Sequence, residues 1–192
     1  MRCVDGKDRK NDLRKNLIIL SAPSATGKNT VYNAVKKLMP DVQRAITATT
    51  RAPRKNEING VDYYFMTDAE FQRKKKCGEF VESDCYDGEY YATPYSEIFR
   101  YPVTTTLFLI INTNGMKSVK KKYPFSKSIF LMPPSIEEHN RRIQLRGDNT
   151  PEDAENRISI ASVEISEAQQ YDYVIVNDNV EVVAKEIVRI IQ

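Results

Sequence analysis

Short uninterrupted apolar runs alternate along this chain with stretches whose apolar residues recur every three or four positions. Leu17-Ile18-Ile19-Leu20 predicts a strand buried on both faces. Val31, Val35 and Leu38 follow at helical spacing and predict a helix over 28–39, stopped by Pro40. Residues 45–49 read as a second strand, and 104–111 as a β-branched and apolar strand buried on both faces. Further strands are predicted at 128–132 and 174–176, and helices at 137–145 and 153–169. The latter opens with Thr150-Pro151, a cap followed by proline at the first helical position. An amphipathic helix over 180–190 closes the chain. This alternation predicts an α/β fold with a mostly parallel sheet. Residues 61–95 break the pattern with short tyrosine-rich β pieces: Tyr63-Tyr64-Phe65, Phe80-Val81-Glu82 and Tyr90-Tyr91. They predict a small, partly antiparallel lobe inserted into the parallel core.

Composition narrows the class. The 192 residues suit one domain with inserted lobes, and 41% hydrophobic with 29% charged residues suits a packed core in water. A net charge of +3 is too small to argue for nucleic acid. The runs Lys74-Lys75-Lys76 and 117–122 read as solvated helix faces. Three cysteines, Cys3, Cys77 and Cys85, show no metal spacing and are expected as free thiols in a reducing compartment. His139, the only histidine, lies in a polar helical stretch and is expected at the surface. No stretch approaches the roughly 20 apolar residues of a membrane span. Residues 1–15 are mixed in charge, lack an apolar signal core and are expected to be a disordered leader. A cytoplasmic protein is expected, with no membrane or nucleic-acid partner.

The chemistry starts directly after the first strand. Ser21-Ala22-Pro23-Ser24-Ala25-Thr26-Gly27-Lys28-Asn29-Thr30 places a small-residue loop ending in Gly-Lys between a strand and a helix. That layout suits phosphate binding by backbone N–H groups and the lysine, and Ala22 through Thr30 are the candidate ATP-binding residues. Ala22 stands where the motif has its first glycine, and Asn29 where it has a hydroxyl, so a plain strand-to-helix turn is the competing reading. Farther on, Arg51 and Arg54 flank Pro53. Guanidinium groups bind phosphate bidentately, which makes the pair a candidate clamp for a monophosphate, with the Tyr63 phenol as a further donor.

The stretch from Thr49 to Phe65 resembles the guanylate kinase family's Thr-Thr-Arg-x-Pro-Arg-x-Gly-Glu-x-x-Gly-x-Asp-Tyr-x-Phe, with Asn56 in place of a glycine. The resemblance extends from about Leu17 to the C-terminus. It includes Phe80-Val81-Glu82, Tyr90-Tyr91-Ala92-Thr93, Pro133-Pro134-Ser135, Arg142-Ile143-Gln144-Leu145-Arg146-Gly147, and 171–178 near the end. It implies a three-layer P-loop NTPase core with a parallel sheet (16–46 and 97–192), a GMP-binding lobe (about 47–96) and a helical lid (about 142–158). It further implies that Arg51, Arg54, Tyr63 and Tyr91 grip the GMP phosphate. Glu82, Thr47, Thr93 and Asn112 contact the base, and a carboxylate at Glu82 accepts from guanine's two donors while disfavouring adenine. Lys28, Arg51, Arg142, Arg146 and Arg157 are the implied catalytic cations, and Mg²⁺ arrives with ATP.

Besides Asn56, five positions depart from the family pattern. Ala22 and Ala25 replace loop glycines, and Asn29 replaces the residue after the lysine. In Leu109-Ile110-Ile111-Asn112, the family has acids where Ile110 and Asn112 stand. No residue is a protein-borne metal ligand on this reading. The leading expectation is phosphorylation of GMP by ATP. A guanylate-kinase-like module that binds protein or phosphopeptide, and a kinase whose acceptor is another nucleotide, are the competing expectations.

Overall fold

The structure, a computed structural model, describes residues 16–144 and 151–192. In chain order the strands are β1 (Leu17–Ser21), β2 (Gln43–Arg44), β3 (Thr47–Thr49), β4 (Tyr63–Phe65), β5 (Phe80–Tyr86), β6 (Glu89–Pro94), β7 (Leu107–Ile110), β8 (Lys127–Met132) and β9 (Tyr173–Val176). The helices are α1 (Lys28–Leu38), α2 (Asp68–Lys76), α3 (Tyr95–Phe99), α4 (Thr113–Lys122), α5 (Ile136–Gln144), α6 (Pro151–Ser166) and α7 (Val180–Ile191). Five strands form a sheet in the order β2-β7-β1-β8-β9, parallel at every junction.

Strand periodicity divides the core into two layers around that sheet. Leu17 and Ile19 of β1 face the same side as Leu107, Leu109 and Phe130, where Met116 and Val119 of α4 cover them. Ile18 and Leu20 face the other side with Phe108, Ile129 and Leu131, under Val31 and Val35 of α1 and Val183 and Ile187 of α7. Each such side chain contributes roughly 1.5–3 kcal/mol on burial. The result is the α/β three-layer architecture expected of a P-loop NTPase core.

The predicted strand at 45–49 is divided between two sheets. Gln43 and Arg44 pair with β7, whereas Thr47–Thr49 joins β4 in parallel and β6 antiparallel in a second sheet of order β4-β3-β6-β5. The buried Glu97 carboxylate makes the crossing possible. It accepts from the Ile46 N–H (3.0 Å) and the Tyr64 hydroxyl (2.8 Å), so the backbone leaves one ladder without an orphaned donor. The second sheet is mixed, as the irregular tyrosine-rich segment predicts, and its hairpin turns on Asp87-Gly88. Both residues have positive φ (53° and 77°), as a tight two-residue hairpin turn requires.

Two further expectations are corrected. The lysines at 117–122 are not simply solvated, because Lys117 pairs with Glu167, Lys120 with Asp172, and Lys122 donates to the Val81 carbonyl. Cys85 is a free, exposed thiol, but Cys77 is disulfide-bonded, since sparse spacing in sequence says nothing about proximity in space. Among the described residues, no helix is long and apolar enough to cross a membrane. The expected leader and residues 145–150 of the expected lid, Arg146 among them, lie outside the described residues.

Candidate active site

The C-terminal ends of the parallel strands, the first turn of α1, the inner face of the second sheet and one face of α6 surround a cleft of ≈ 590 Å³. Ala22, Ser24, Ala25, Gly27, Lys28, Asn29 and Thr30 line one wall. Thr47, Arg51, Arg54, Tyr63, Glu82, Tyr91 and Asn112 line the opposite one, and Arg157 enters from α6.

The loop wall follows from its local sequence. Gly27 caps α1 with φ 93°, a conformation that penalises any Cβ. No side chain caps α1, in contrast to Thr67 on α2, Asn112 on α4 and Asn179 on α7. The first N–H groups of α1 therefore point into the cleft with the positive end of the helix dipole, which suits phosphate. The Lys28 ammonium donates to the carbonyls of Ala22 (2.5 Å) and Pro23 (3.3 Å). Ala25 holds φ 66°, the left-handed region in which a non-glycine residue costs roughly 1–2 kcal/mol. Ala25→Gly is expected to relieve part of this, raising Tm by roughly 2 °C, a shift that corresponds to less than about 1 kcal/mol for a domain of this size. An unchanged or lowered Tm in a melting experiment would show that the loop carries no such strain.

Two side chains from distant elements brace this loop. His139 of α5 is 1% exposed, and its Nε2 lies 2.7 Å from the Ser24 carbonyl. A carbonyl only accepts, so Nε2 carries the proton. Burial lowers the pKa of His139 and favours this neutral form. The expectation of a surface histidine is thus wrong. The signal was present, because Ile136, His139 and Ile143 fall at i, i+3 and i+7 on one helix face. Asn177, just after β9, donates to the Thr26 carbonyl at 2.7 Å.

On the opposite wall, Arg51 meets both oxygens of Glu57 (2.8 and 2.9 Å) and stacks on Tyr63, 5.4 Å from its centroid. Tyr63 and Tyr91 meet edge to face at 6.2 Å. Burial, with Tyr91 nearby, raises the Tyr63 pKa and keeps its hydroxyl a donor. Below them Glu82 is 6% exposed, and its Oε1 accepts from the Thr93 hydroxyl at 2.7 Å. Burial pushes its carboxyl up to about 7, against the pull of the Thr93 bonds.

The structure does not bring every sequence candidate to the cleft surface. Pro23 and Thr26 lie behind the loop, and Thr93 is buried behind Glu82. Arg142 is turned to Glu138 (2.8 Å) on its own helix rather than to the cleft. Arg157 bonds Asp87 at the tip of the β5–β6 hairpin (3.0 Å), so α6 and the second sheet touch across the cleft. Asn112 caps α4 through its carbonyl.

Four of the cleft residues that sequence reading missed stand out. Arg44 spans the opening, donating to Asn29 Oδ1 (3.3 Å) and the Val61 carbonyl (3.1 Å). Asp84 lies beside Asn112. Tyr86 Oη and Glu164 Oε2 are buried without a hydrogen-bond partner among the described residues. Burial raises Glu164 to about 7, opposed by the nearby Lys28 charge. None of the four sits in a recognisable motif, so only the fold reveals them.

The geometry, two facing phosphate-type cradles with a buried carboxylate at the base of one, agrees with the comparisons to known proteins. A family model described as guanylate kinase matches residues 14–192. The chain is 39% identical to the guanylate kinase of Prochlorococcus marinus (strain MIT 9312), over 93% of this chain and 98% of that one. It is 38% identical to the guanylate kinase of Halalkalibacterium halodurans, over 91% and 86%. The crystal structure of guanylate kinase from Anaplasma phagocytophilum superposes with a TM-score of 0.74 at 33% identity, covering 91% of this chain and 83% of that one. With the family model, the relatives and the fold all matching over nearly its whole length, the chain belongs to the guanylate kinase family.

Proposed function

We propose that this chain transfers the γ-phosphoryl group of ATP to GMP, releasing ADP and GDP. The observation that carries the reading is the single cleft with an uncapped helix start and Lys28 on one wall and Arg51, Tyr63 and Tyr91 over a buried Glu82 on the other. A phosphate oxygen of GMP attacks the γ-phosphorus, and the bond to the β–γ bridging oxygen breaks. The acceptor is already anionic, so no general base is needed. Holding two polyanions in line and neutralising their charge is the work left to the protein.

On this reading, residues 22–30 bind the ATP phosphates and Lys28 bridges the outer two. Arg51, Arg54, Tyr63 and Tyr91 hold the GMP phosphate, and Arg157, with Arg146 and with Arg142 once it has left Glu138, neutralises the group in transfer. Arg157 then exchanges Asp87 for a phosphate oxygen. Thr93 orients Glu82 against guanine, with Thr47 on the same wall. The proposed division is a core at 16–46 and 97–192, a GMP-binding lobe at about 47–96 and a lid at about 142–158, in a cytoplasmic enzyme.

Mg²⁺ fits this site only as a passenger of ATP. Among the described residues, no group of three or more His, Cys, Asp or Glu side chains is placed to hold a metal, and Ile110 offers no oxygen. Magnesium keeps several waters and leans on substrate phosphates, so the Asn29 and Thr30 side chains of the loop would hold it only through water. When bound, it supplies charge neutralisation at the β- and γ-phosphates.

An ADP-release assay with GMP, dGMP, AMP, CMP and UMP tests the proposal. Turnover confined to the guanine nucleotides is expected, and guanine binding without turnover would overturn it. The Glu82 carboxyl adds a pH signature. Guanine's N1–H and amino group need the ionised acceptor, yet the free protein holds this carboxyl at about 7. We expect kcat/KM for GMP to be flat above pH 7 and to fall up to about tenfold per unit below it. The phosphate's own ionisation near pH 6 is common to all variants. Glu82→Gln should remove only the carboxyl's part of the profile and cut the GMP-to-AMP preference by roughly 10- to 100-fold. An identical pH profile in the variant would refute the assignment.

A further inference from the structure

We infer that Asp84, rather than Asn112, is the second acceptor that reads the 2-amino group of guanine. The inference rests on the proposed GMP reading and assigns a residue that lies outside every motif quoted above.

The argument begins with the orientation of Asn112. Its Oδ1 accepts from the Gly115 N–H at 2.9 Å, capping α4. A backbone N–H can only donate, so the amide has one possible orientation and its NH₂ points the other way. That NH₂ donates to Asp84 Oδ2 at 2.6 Å, and the amide of Asn114 adds a second bond to the same oxygen at 3.1 Å. Asn112 thus spends its carbonyl on the helix and turns its amide donors toward Asp84. Guanine's N1–H and amino group are themselves donors, so an amide NH₂ is the wrong partner for them.

Asp84 supplies what Asn112 lacks. It is two residues beyond Glu82 on β5, so both carboxylates project from the same face of one strand, and both line the cleft. The start of α4 presses against this pair. A Cβ on Gly115 would lie 3.0 Å from Glu82 Oε2 and 3.3 Å from Asn112 Oδ1, so Glu82, Asn112 and Asp84 form one continuous wall. Asn112 and Asn114 engage only Oδ2. Asp84 Oδ1 has no hydrogen bond to protein among the described residues and is the acceptor left for a ligand. Glu82 takes guanine's N1–H and one amino hydrogen, and Asp84 takes the other. The carboxylate absent from the chain at position 112 is supplied from the second sheet by position 84, with Asn112 and Asn114 holding it in place.

Inosine monophosphate isolates this contact, because it lacks the amino group and keeps N1–H. We expect Asp84→Ala to lower the GMP-to-IMP ratio of kcat/KM by about tenfold or more, the effect of a lost hydrogen bond to a charged acceptor. Adding Asn112→Asp to that variant should recover much of the ratio, by returning a carboxylate to the same wall. Asp84→Asn preserves the side chain's size and an oxygen for Asn112, so it reports even if the alanine variant does not fold. It should reduce the ratio about threefold or more, because a neutral oxygen accepts more weakly. An equal loss with both nucleotides, an unchanged ratio in Asp84→Asn, or a loss restored by excess Mg²⁺ would each overturn the inference. Wild-type turnover of GMP and its dependence on Glu82 test the parent reading separately.

Discussion

Lys28→Met is expected to lower kcat by about a thousandfold while KM for GMP changes little. The substitution keeps the aliphatic stem and removes only the ammonium. In the structure that ammonium rests on the carbonyls of Ala22 and Pro23, at the end of α1 where the backbone N–H groups converge. Charge accumulates on the β–γ bridging oxygen only as transfer proceeds. The lost interaction is therefore strongest in the transition state, and the defect belongs in kcat. Steady-state kinetics with each substrate varied provides the check. A Lys28→Met enzyme within tenfold of the parent kcat would remove Lys28 from the mechanism. A rise in GMP KM at unchanged kcat would place it in acceptor binding instead.

The second large effect belongs to the opposite wall. Arg51→Ala is expected to reduce kcat/KM for GMP by roughly 10²- to 10³-fold. The loss has two sources. One is a bidentate guanidinium contact to the GMP phosphate. The other is the Glu57 carboxylate, which currently receives both bonds from Arg51 and would be left half-buried beside the incoming phosphate. Breaking such a pair from one side is costly because the remaining charge keeps only the Arg54 N–H (2.8 Å) and a looser contact to the Arg54 guanidinium (3.8 Å). Arg51→Lys should recover only a small part, since an ammonium does not reproduce the fork or the stacking on Tyr63 and Phe65. Adding Glu57→Gln to Arg51→Ala should recover more, by removing the stranded negative charge. Equal activity of the single and double variants would mean that Glu57 plays no part in the loss.

Much of the cleft was visible in the chain because it is built from contiguous segments. The loop at 22–30 combines a strand end, a glycine with positive φ and a helix start, and each has a local signature. Arg51 and Arg54 sit within a few residues of Glu57, so local sequence brings those groups together. Tyr63 joins them through the pairing of β4 with β3. The two layers around the parallel sheet were equally legible, because the apolar spacing of β1, α1 and α7 reports which side each residue buries.

Other features needed three dimensions. His139 braces Ser24 across 115 residues, Asn177 braces Thr26 across 151, and Arg157 meets Asp87 across 70. Asp84 and Asn112 are 28 residues apart on elements whose own patterns predict no contact. The strand expected at 45–49 divides between sheets because Glu97, far along the chain, takes up the Ile46 N–H at the crossing.

Spacing and residue type were enough to establish an α/β core and to single out the Gly-Lys loop and the Arg51–Arg54 pair that line the cleft, because hydrophobic periodicity and short-range backbone geometry act over a few residues. Which carboxylates line the cleft, which arginine points at it, and what holds the loop from behind were decided only on folding. Those contacts join segments whose meeting depends on sheet order and helix packing. A hydrogen bond has direction and a reach of about 3 Å, so nothing short of the assembled backbone specifies its partners.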